Sequence, residues 1–257
     1  MEKVAITSSD NSKIKLLKKL RLKKYRNQLD EFVIENAKII KDALIAGIQP
    51  ESLYMTNTFV EENDRWISAE LKSLSAQEYF GINETINKSF SELVTPPGIA
   101  AIYKKIHLPI TYDSHIIYLN GINDPGNVGA ILRSALAFGL KNIVVDESCA
   151  DIYNAKTLQA AKDSIFKLRI AGDKDQEILK NIKTKMKIFS TRMQQAEKIE
   201  ILKQEKKICL VLGSESHGVS KEIQSLSDGF VKIDMSKEVE SLNVASAAAI
   251  LFYQLVK

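Results

Sequence analysis

Three short segments of this chain concentrate the polar and glycine residues that could do chemistry. They are NGINDPGNVG from Asn120 to Gly129, GSESHG from Gly213 to Gly218, and DMSKEVESLN from Asp234 to Asn243. Each follows an apolar run that reads as a strand. In open parallel α/β sheets, ligands bind beyond the carboxyl ends of the strands, where loops and helix N-termini present unpaired amide donors. None of the three is a phosphate loop, because no Gly-Lys-Ser/Thr follows the glycines. None has the Gly-x-Gly-x-x-Gly spacing of a dinucleotide fold either, so the commonest nucleotide enzymes are disfavoured. Taken singly, the residues read blandly. Asn127 and Ser241 stand before helical stretches and would cap them. Glu215 is a turn carboxylate in water, His217 a solvent-facing turn residue, and Arg133 a helix-surface arginine paired with a carboxylate.

The elements that must position these segments follow from hydrophobic patterning. After Pro109, apolar runs at Ile116–Leu119, Ile143–Val145, Ile165–Ile170, Lys187–Phe189, Ile208–Leu212 and Phe230–Ile233 alternate with helical stretches. That alternation predicts a mostly parallel sheet covered on both faces. A final apolar helix, rich in alanine, is expected from about Ser241 to Val256. The N-terminal part reads as a smaller α/β unit: a basic helix, a strand at Glu31–Ile34, an apolar-periodic helix across Ala37, Ile40, Ala43 and Leu44 that stops at Gly47, and a strand at Leu53–Met55. The TPPG run from Thr95 to Gly98 breaks the pattern. The expected division is therefore an N-terminal domain over residues 1–95, a linker over 96–109 and a catalytic domain over 110–257.

The chain has 257 residues, 45% hydrophobic and 26% charged, which is an ordinary globular composition long enough for two domains. Its net charge of +4 decides little, but the distribution says more. The block KIKLLKKLRLKKYR carries Lys13, Lys15, Lys18, Lys19, Arg21, Lys23, Lys24 and Arg26 without an acid. Such a block attracts polyanions, and it also suits the solvated face of a helix whose leucines point inward. Cys149 and Cys209 are far apart and lack metal-ligand spacing, so neither a disulfide framework nor a metal site is expected. The opening residues lack a secretory apolar core, and no apolar run reaches the ~18–20 residues of a membrane crossing. A cytoplasmic protein with no membrane role is the expectation.

Together, the three segments resemble the motifs of the SpoU (TrmH) family of RNA ribose 2′-O-methyltransferases, within the SPOUT superfamily. The first motif is NDPGNVGAILRSALAFG, the second LVLGSESHGVS and the third KIDMSKEVESLNVASAAAILFYQL. The opening of the chain also looks like the substrate-binding domain that precedes the catalytic domain in many members. The resemblance implies a C-terminal α/β domain with a mostly parallel sheet and a deep trefoil knot, preceded by a smaller RNA-binding domain. It implies S-adenosyl-L-methionine as cofactor, RNA as substrate, ribosomal rather than transfer RNA, and a homodimer whose active site is completed at the subunit interface.

By motif position, the resemblance puts Arg133, Asn127, Glu215, Ser241 and Asn243 in the catalytic centre. It puts Gly213, Ile233, Leu242, Met235 and the Ser190-Thr191 strand end at the cofactor. An arginine almost never deprotonates, so Arg133 is assigned to clamping the phosphate beside the target ribose. Lys13, Lys18, Lys19, Arg21, Lys23, Lys24 and Arg26 are the expected RNA-binding residues. Several positions depart from the family pattern: Ser216, Lys237 and Glu238 stand where glycine is frequent, Asp234 where proline is, and Leu136 where an acid is common. Those departures leave room for a non-catalytic RNA-binding paralogue, and transfer RNA or base methylation are further alternatives.

Overall fold

A computed structural model describes residues 4–70, 78–236 and 238–257; Lys237 therefore lies outside the described residues. The chain divides into two compact units, one of Met1–Ile106 with Tyr153–Ala155, the other of His107–Ile152 with Lys156–Lys257.

In the first unit the elements run β1 (Val4–Ala5), α1 (Ser12–Lys19), α2 (Lys23–Leu29), β2 (Glu31–Ile34), α3 (Ala37–Ile45), β3 (Ser52–Thr56), α4 (Asn57–Glu62), α5 (Asp64–Glu70), β4 (Glu78–Ile82), α6 (Glu84–Phe90) and β5 (Ile99–Lys104). The five strands form one mixed sheet in the order β1-β4-β3-β5-β2. Asparagine side chains start three of the helices, Asn11, Asn36 and Asn83 accepting from the amides of Lys13, Ile39 and Ile86. The stretch expected to be a linker over 96–109 holds β5, which pairs with both β3 and β2. Pro96 and Pro97 end only the preceding segment; the apolar run IAAIY that follows is buried as a strand. The basic block is two helices, not one. Leu22 is extended between them, and the Arg26 guanidinium folds back so that Nη1 donates to the carbonyls of Leu20 (2.8 Å) and Arg21 (2.5 Å). It takes up carbonyls that the end of α1 leaves unpaired.

The second unit contains β6 (Ile116–Asn120), α7 (Pro125–Ala137), β7 (Asn142–Asp146), α8 (Ala155–Ala161), β8 (Arg169–Asp173), α9 (Glu177–Lys183), β9 (Lys187–Thr191), β10 (Glu197–Lys198), β11 (Ile208–Gly213), α10 (Lys221–Leu226), β12 (Gly229–Lys232) and α11 (Val244–Val256). Its seven strands are all parallel, in the order β10-β12-β9-β11-β6-β7-β8. The predicted run Ile165–Ile170 is only half a strand. Its first part is the 3₁₀ turn Lys162–Phe166, closed by amides of Lys167 and Leu168 on the Ser164 carbonyl. A short apolar run does not by itself tell a buried turn from a strand. One face of the sheet buries Ile116, Tyr118, Val144, Cys209 and Val211 against Leu179 and Ile182 of α9. The alternate residues Ile117, Leu119, Leu210 and Leu212 are as deeply buried on the other face.

Gly129 shows how tightly the second unit is packed. A Cβ there would lie 2.4 Å from the Thr157 carbonyl oxygen and 2.6 Å from the Ala160 Cβ. Gly129→Ala is expected to lower stability by ~1–3 kcal/mol through overpacking, read as a lower denaturation midpoint in urea.

The strand order has a functional consequence. From β6 the chain builds outward through β7 and β8, then returns to place β9 and β11 on the opposite side of β6. The crevice at such a reversal, beyond the carboxyl ends of the strands, is where ligands bind in open α/β sheets. Strands β12, β9, β11 and β6 are consecutive there, so the three polar segments that follow β6, β11 and β12 are brought to one end of the sheet.

Candidate functional site

A cavity of about 370 Å³ opens at that end. Thr191 at the end of β9, Gly213 at the end of β11, and Ile233, Met235 and Leu242 after β12 all line it, so the five expected cofactor positions share one space. Leu212, Val219, Val231 and Leu251 add apolar wall, Arg192 and Lys232 add cationic groups, and His217 adds an imidazole. The floor is the turn after β11. It closes on itself through Ser214 N–H to the Gly218 carbonyl (3.2 Å) and Gly218 N–H to the Ser214 carbonyl (2.9 Å). A Cβ at Gly213 would lie 2.2 Å from both the Gly218 carbonyl carbon and the Val219 nitrogen, so only glycine lets the turn fold against the strand end. The side chain of that turn which faces the polar cluster is Glu215.

Glu215 Oε1 accepts from Asn127 Nδ2 (2.9 Å), Asn243 Nδ2 (2.7 Å) and the Val244 amide (3.2 Å). Asn243 Nδ2 also reaches Asn127 Oδ1 at 3.0 Å. The three motif segments are therefore joined by side chains 88 and 116 residues apart in sequence. Asn127 is free to do this because it does not cap α7, as its place before a helix suggested. Asp124 is the cap, its Oδ1 accepting the Asn127 amide at 2.8 Å with Pro125 in the first turn. At the last helix the expected N-cap Ser241 is likewise replaced. Asn243 Oδ1 accepts from the amides of Ala245 (3.0 Å) and Ser246 (3.3 Å), so α11 begins three residues later than predicted, and Ser241 lines the cavity instead.

Arg133 stands apart from this cluster. It is exposed on α7, does not line the cavity, and makes no hydrogen bond or ion pair among the described residues. At 100° per residue, six residues place it about 120° around the helix from Asn127. His217 is exposed, as the turn reading had it, but also borders the cavity, with Nδ1 2.9 Å from the Ser216 hydroxyl. Asp234, standing where proline is usual, pairs with Lys198 at 2.7 Å. That ammonium holds the Asp234 carboxyl below the usual carboxylate range. Arg192, which sequence reasoning passed over, stacks on the Phe230 ring with Cζ 4.0 Å from the centroid, and its Nε donates to the Gln194 carbonyl at 2.7 Å. A lone arginine after a strand gave no signal of either contact. Among the described residues no group of three His, Cys, Asp or Glu side chains could hold a metal ion.

The basic block in the first unit divides. Lys23 is exposed, and Lys19 and Lys24 flank the Tyr25 ring at 5.7 and 5.9 Å. Lys18 is half-buried, and Lys13 lies over the Phe80 ring at 5.4 Å. Arg21 is half-buried, 3.8 Å from Glu92. Arg26 is only 4% exposed and spends its guanidinium on the two backbone carbonyls, so it is a structural residue and not an RNA contact. Arg26→Ala is expected to cost ~2–4 kcal/mol by stranding those carbonyls, seen as a lowered melting temperature; an unchanged midpoint would restore it to the surface.

Comparison with known proteins is consistent with this geometry. Residues 114–253 match the model of the SpoU rRNA Methylase family, and residues 11–101 match that of the MRM3-like substrate binding domain. The chain is 30% identical over 252 residues to a Bacillus subtilis (strain 168) protein described as 23S rRNA (guanosine(2553)-2′-O)-methyltransferase RlmP, covering 97% of this chain and 98% of that one. A putative RNA methyltransferase of the TrmH family from Porphyromonas gingivalis superposes with a TM-score of 0.79 at 26% identity, over 97% and 98% of the two chains. An rRNA methyltransferase from Sinorhizobium meliloti shares the fold, with a TM-score of 0.82 at 22% identity over 98% of this chain and 96% of that one.

Proposed function

The chain belongs to the SpoU rRNA methylase family, and from that premise we propose that it transfers a methyl group from S-adenosyl-L-methionine to a ribose 2′-hydroxyl of ribosomal RNA. The observation that carries this reading is the meeting of three motif segments at one end of the parallel sheet. There Thr191, Gly213, Ile233, Met235 and Leu242 surround one cavity, and Glu215 joins Asn127 to Asn243 beside it.

The cavity suits the cofactor. Its volume lies in the range of small-molecule sites. Apolar side chains offer a face to an adenine ring, and the turn from Gly213 to Gly218 adds polar groups beside it. When bound, S-adenosyl-L-methionine supplies an electrophilic methyl group on a sulfonium. The protein's task is then to hold the hydroxyl in line with that methyl group and to assist loss of its proton, and positioning is the larger part. Glu215, with Asn127 and Asn243, fixes the turn that floors the cavity. Ser241, at the cavity wall, is placed to contact the hydroxyl. Arg133 clamps the phosphate beside the target ribose through its planar fork.

Arg133 acts on the site of the partner subunit in a homodimer. Two observations support this: it is exposed and unpaired among the described residues, and Ile250, Tyr253 and Val256 leave an apolar stripe exposed on α11, the helix packed on α7. The first unit contributes RNA affinity through Lys19, Lys23 and Lys24, with Lys13, Lys18 and Arg21 at its margin. No described helix is long and apolar enough to cross a membrane.

Calorimetric titration with S-adenosyl-L-methionine tests the reading. Saturable binding near one equivalent per chain, competed by S-adenosylhomocysteine, is the expected result. No heat at millimolar cofactor in a folded protein would contradict it.

A further inference from the structure

The turn that carries Glu215 is tied at its far end by a residue that touches neither the cavity nor the Glu215 cluster. Ser220, the N-cap of α10, donates its backbone N–H to Oδ1 of Asn120 at 2.8 Å. Asn120 is the last residue of β6 and only 7% exposed. Its Nδ2 donates in turn to Oδ2 of Asp146, the last residue of β7. The other carboxylate oxygen, Asp146 Oδ1, accepts from the Gly121 amide (3.2 Å), the Ser148 amide (3.1 Å) and the Ser148 hydroxyl (2.7 Å). Two side chains thereby link the ends of β6 and β7 to the turn after β11.

We propose that Asn120, oriented by Asp146, is a positioning residue for the cofactor turn, holding Ser220 so that the segment Gly213–Val219 keeps the shape that floors the cavity. This rests on the function proposed above. The polarity of the network assigns the roles. Every group facing Asp146 is a donor, so this side chain must offer acceptors on both oxygens, as a carboxylate does. Asn120 must offer an acceptor to Ser220 and a donor to Asp146, as its amide does from two separate atoms. Either residue changed alone breaks the pattern. Asn120→Asp sets two carboxylates face to face. Asp146→Asn leaves one amide NH₂ facing another donor. Changed together, the two restore it: an acid at 120 accepts from Ser220 and from the new amide at 146, whose oxygen still accepts from Gly121 and Ser148.

The test measures S-adenosyl-L-methionine binding calorimetrically, and the KM for the cofactor, in the unmodified protein, the two single variants and the double exchange. Each single variant is expected to bind about tenfold more weakly or worse. Because bound cofactor re-forms the turn, the loss falls in KM, while kcat at saturating cofactor changes by less than about threefold. The double exchange is expected to return to within about threefold of the unmodified protein. Singles that bind like the unmodified protein, or a double exchange no tighter than the singles, would overturn the assignment. If a single variant fails to fold, the double exchange alone decides: binding within about threefold supports the network, and a loss beyond about tenfold contradicts it. An unmodified protein that binds no cofactor would instead overturn the proposed function on which the inference stands.

Discussion

Gly213→Ala is expected to abolish detectable S-adenosyl-L-methionine binding, a loss of roughly a hundredfold or more, in a protein that still folds. The added methyl group meets backbone on the far side of the turn, 2.2 Å from the Gly218 carbonyl carbon and the Val219 nitrogen. The strand side yields little, because β11 pairs with β6 as far as Gly213 and with β9 as far as Val211. The turn must move instead, and the turn is the cavity floor. The global cost is smaller, ~1–3 kcal/mol for one methyl group's overpacking. Gly218→Ala is the informative control. Gly218 has φ of +66° and open space around its missing Cβ, so alanine there costs ~1 kcal/mol of backbone strain without a clash. Cofactor binding is expected to survive it. Equal affinity losses in the two variants would mean that turn flexibility, not the close approach at Gly213, governs the site.

Arg133→Ala is expected to lower methyl transfer by roughly a hundredfold or more while leaving stability within ~0.5 kcal/mol and cofactor affinity unchanged. Stability is spared because the side chain is exposed and unpaired among the described residues, and cofactor affinity because it does not line the cavity. The same variant tests whether the site is shared. Gly213→Ala chains lack a cofactor floor but keep Arg133, and Arg133→Ala chains have the reverse defect. Co-expressed in equal amounts, they form mixed dimers in which one site has both parts, and activity should return to about a quarter of normal. Chains that complete their own sites would show no recovery.

Much of this site is legible in the sequence because its parts are local signals. Strand ends rich in glycine and amides mark NGINDPGNVG and GSESHG, and their order after apolar runs places them at one end of a parallel sheet. The caps show where local reading stops. Asp124 with Asn127, and Ser241 with Asn243, are cap formers two or three residues apart, and local reading chose Asn127 and Ser241, the wrong member of each pair. Tertiary contact decides: Glu215 engages Asn127 and Asn243, while Asp124 takes the amide that Asn127 cannot reach with its own side chain. Arg26 was unreadable for a different reason. In a run of lysines it looks like surface charge, yet burial gives it backbone partners five and six residues back. The link from Asn120 to Ser220 spans 100 residues and carries no local pattern at all.

The most direct measurement of the central claim is the chemical position of the transferred methyl group. Ribosomal RNA incubated with the protein and methyl-labelled S-adenosyl-L-methionine is hydrolysed in alkali, which cleaves next to a free 2′-hydroxyl and spares a methylated one. The label is predicted in an alkali-resistant dinucleotide, and absent when Arg133→Ala replaces the unmodified protein. Label released in mononucleotides would place the methyl group on a base, and no label in RNA from a cofactor-binding protein would contradict the account.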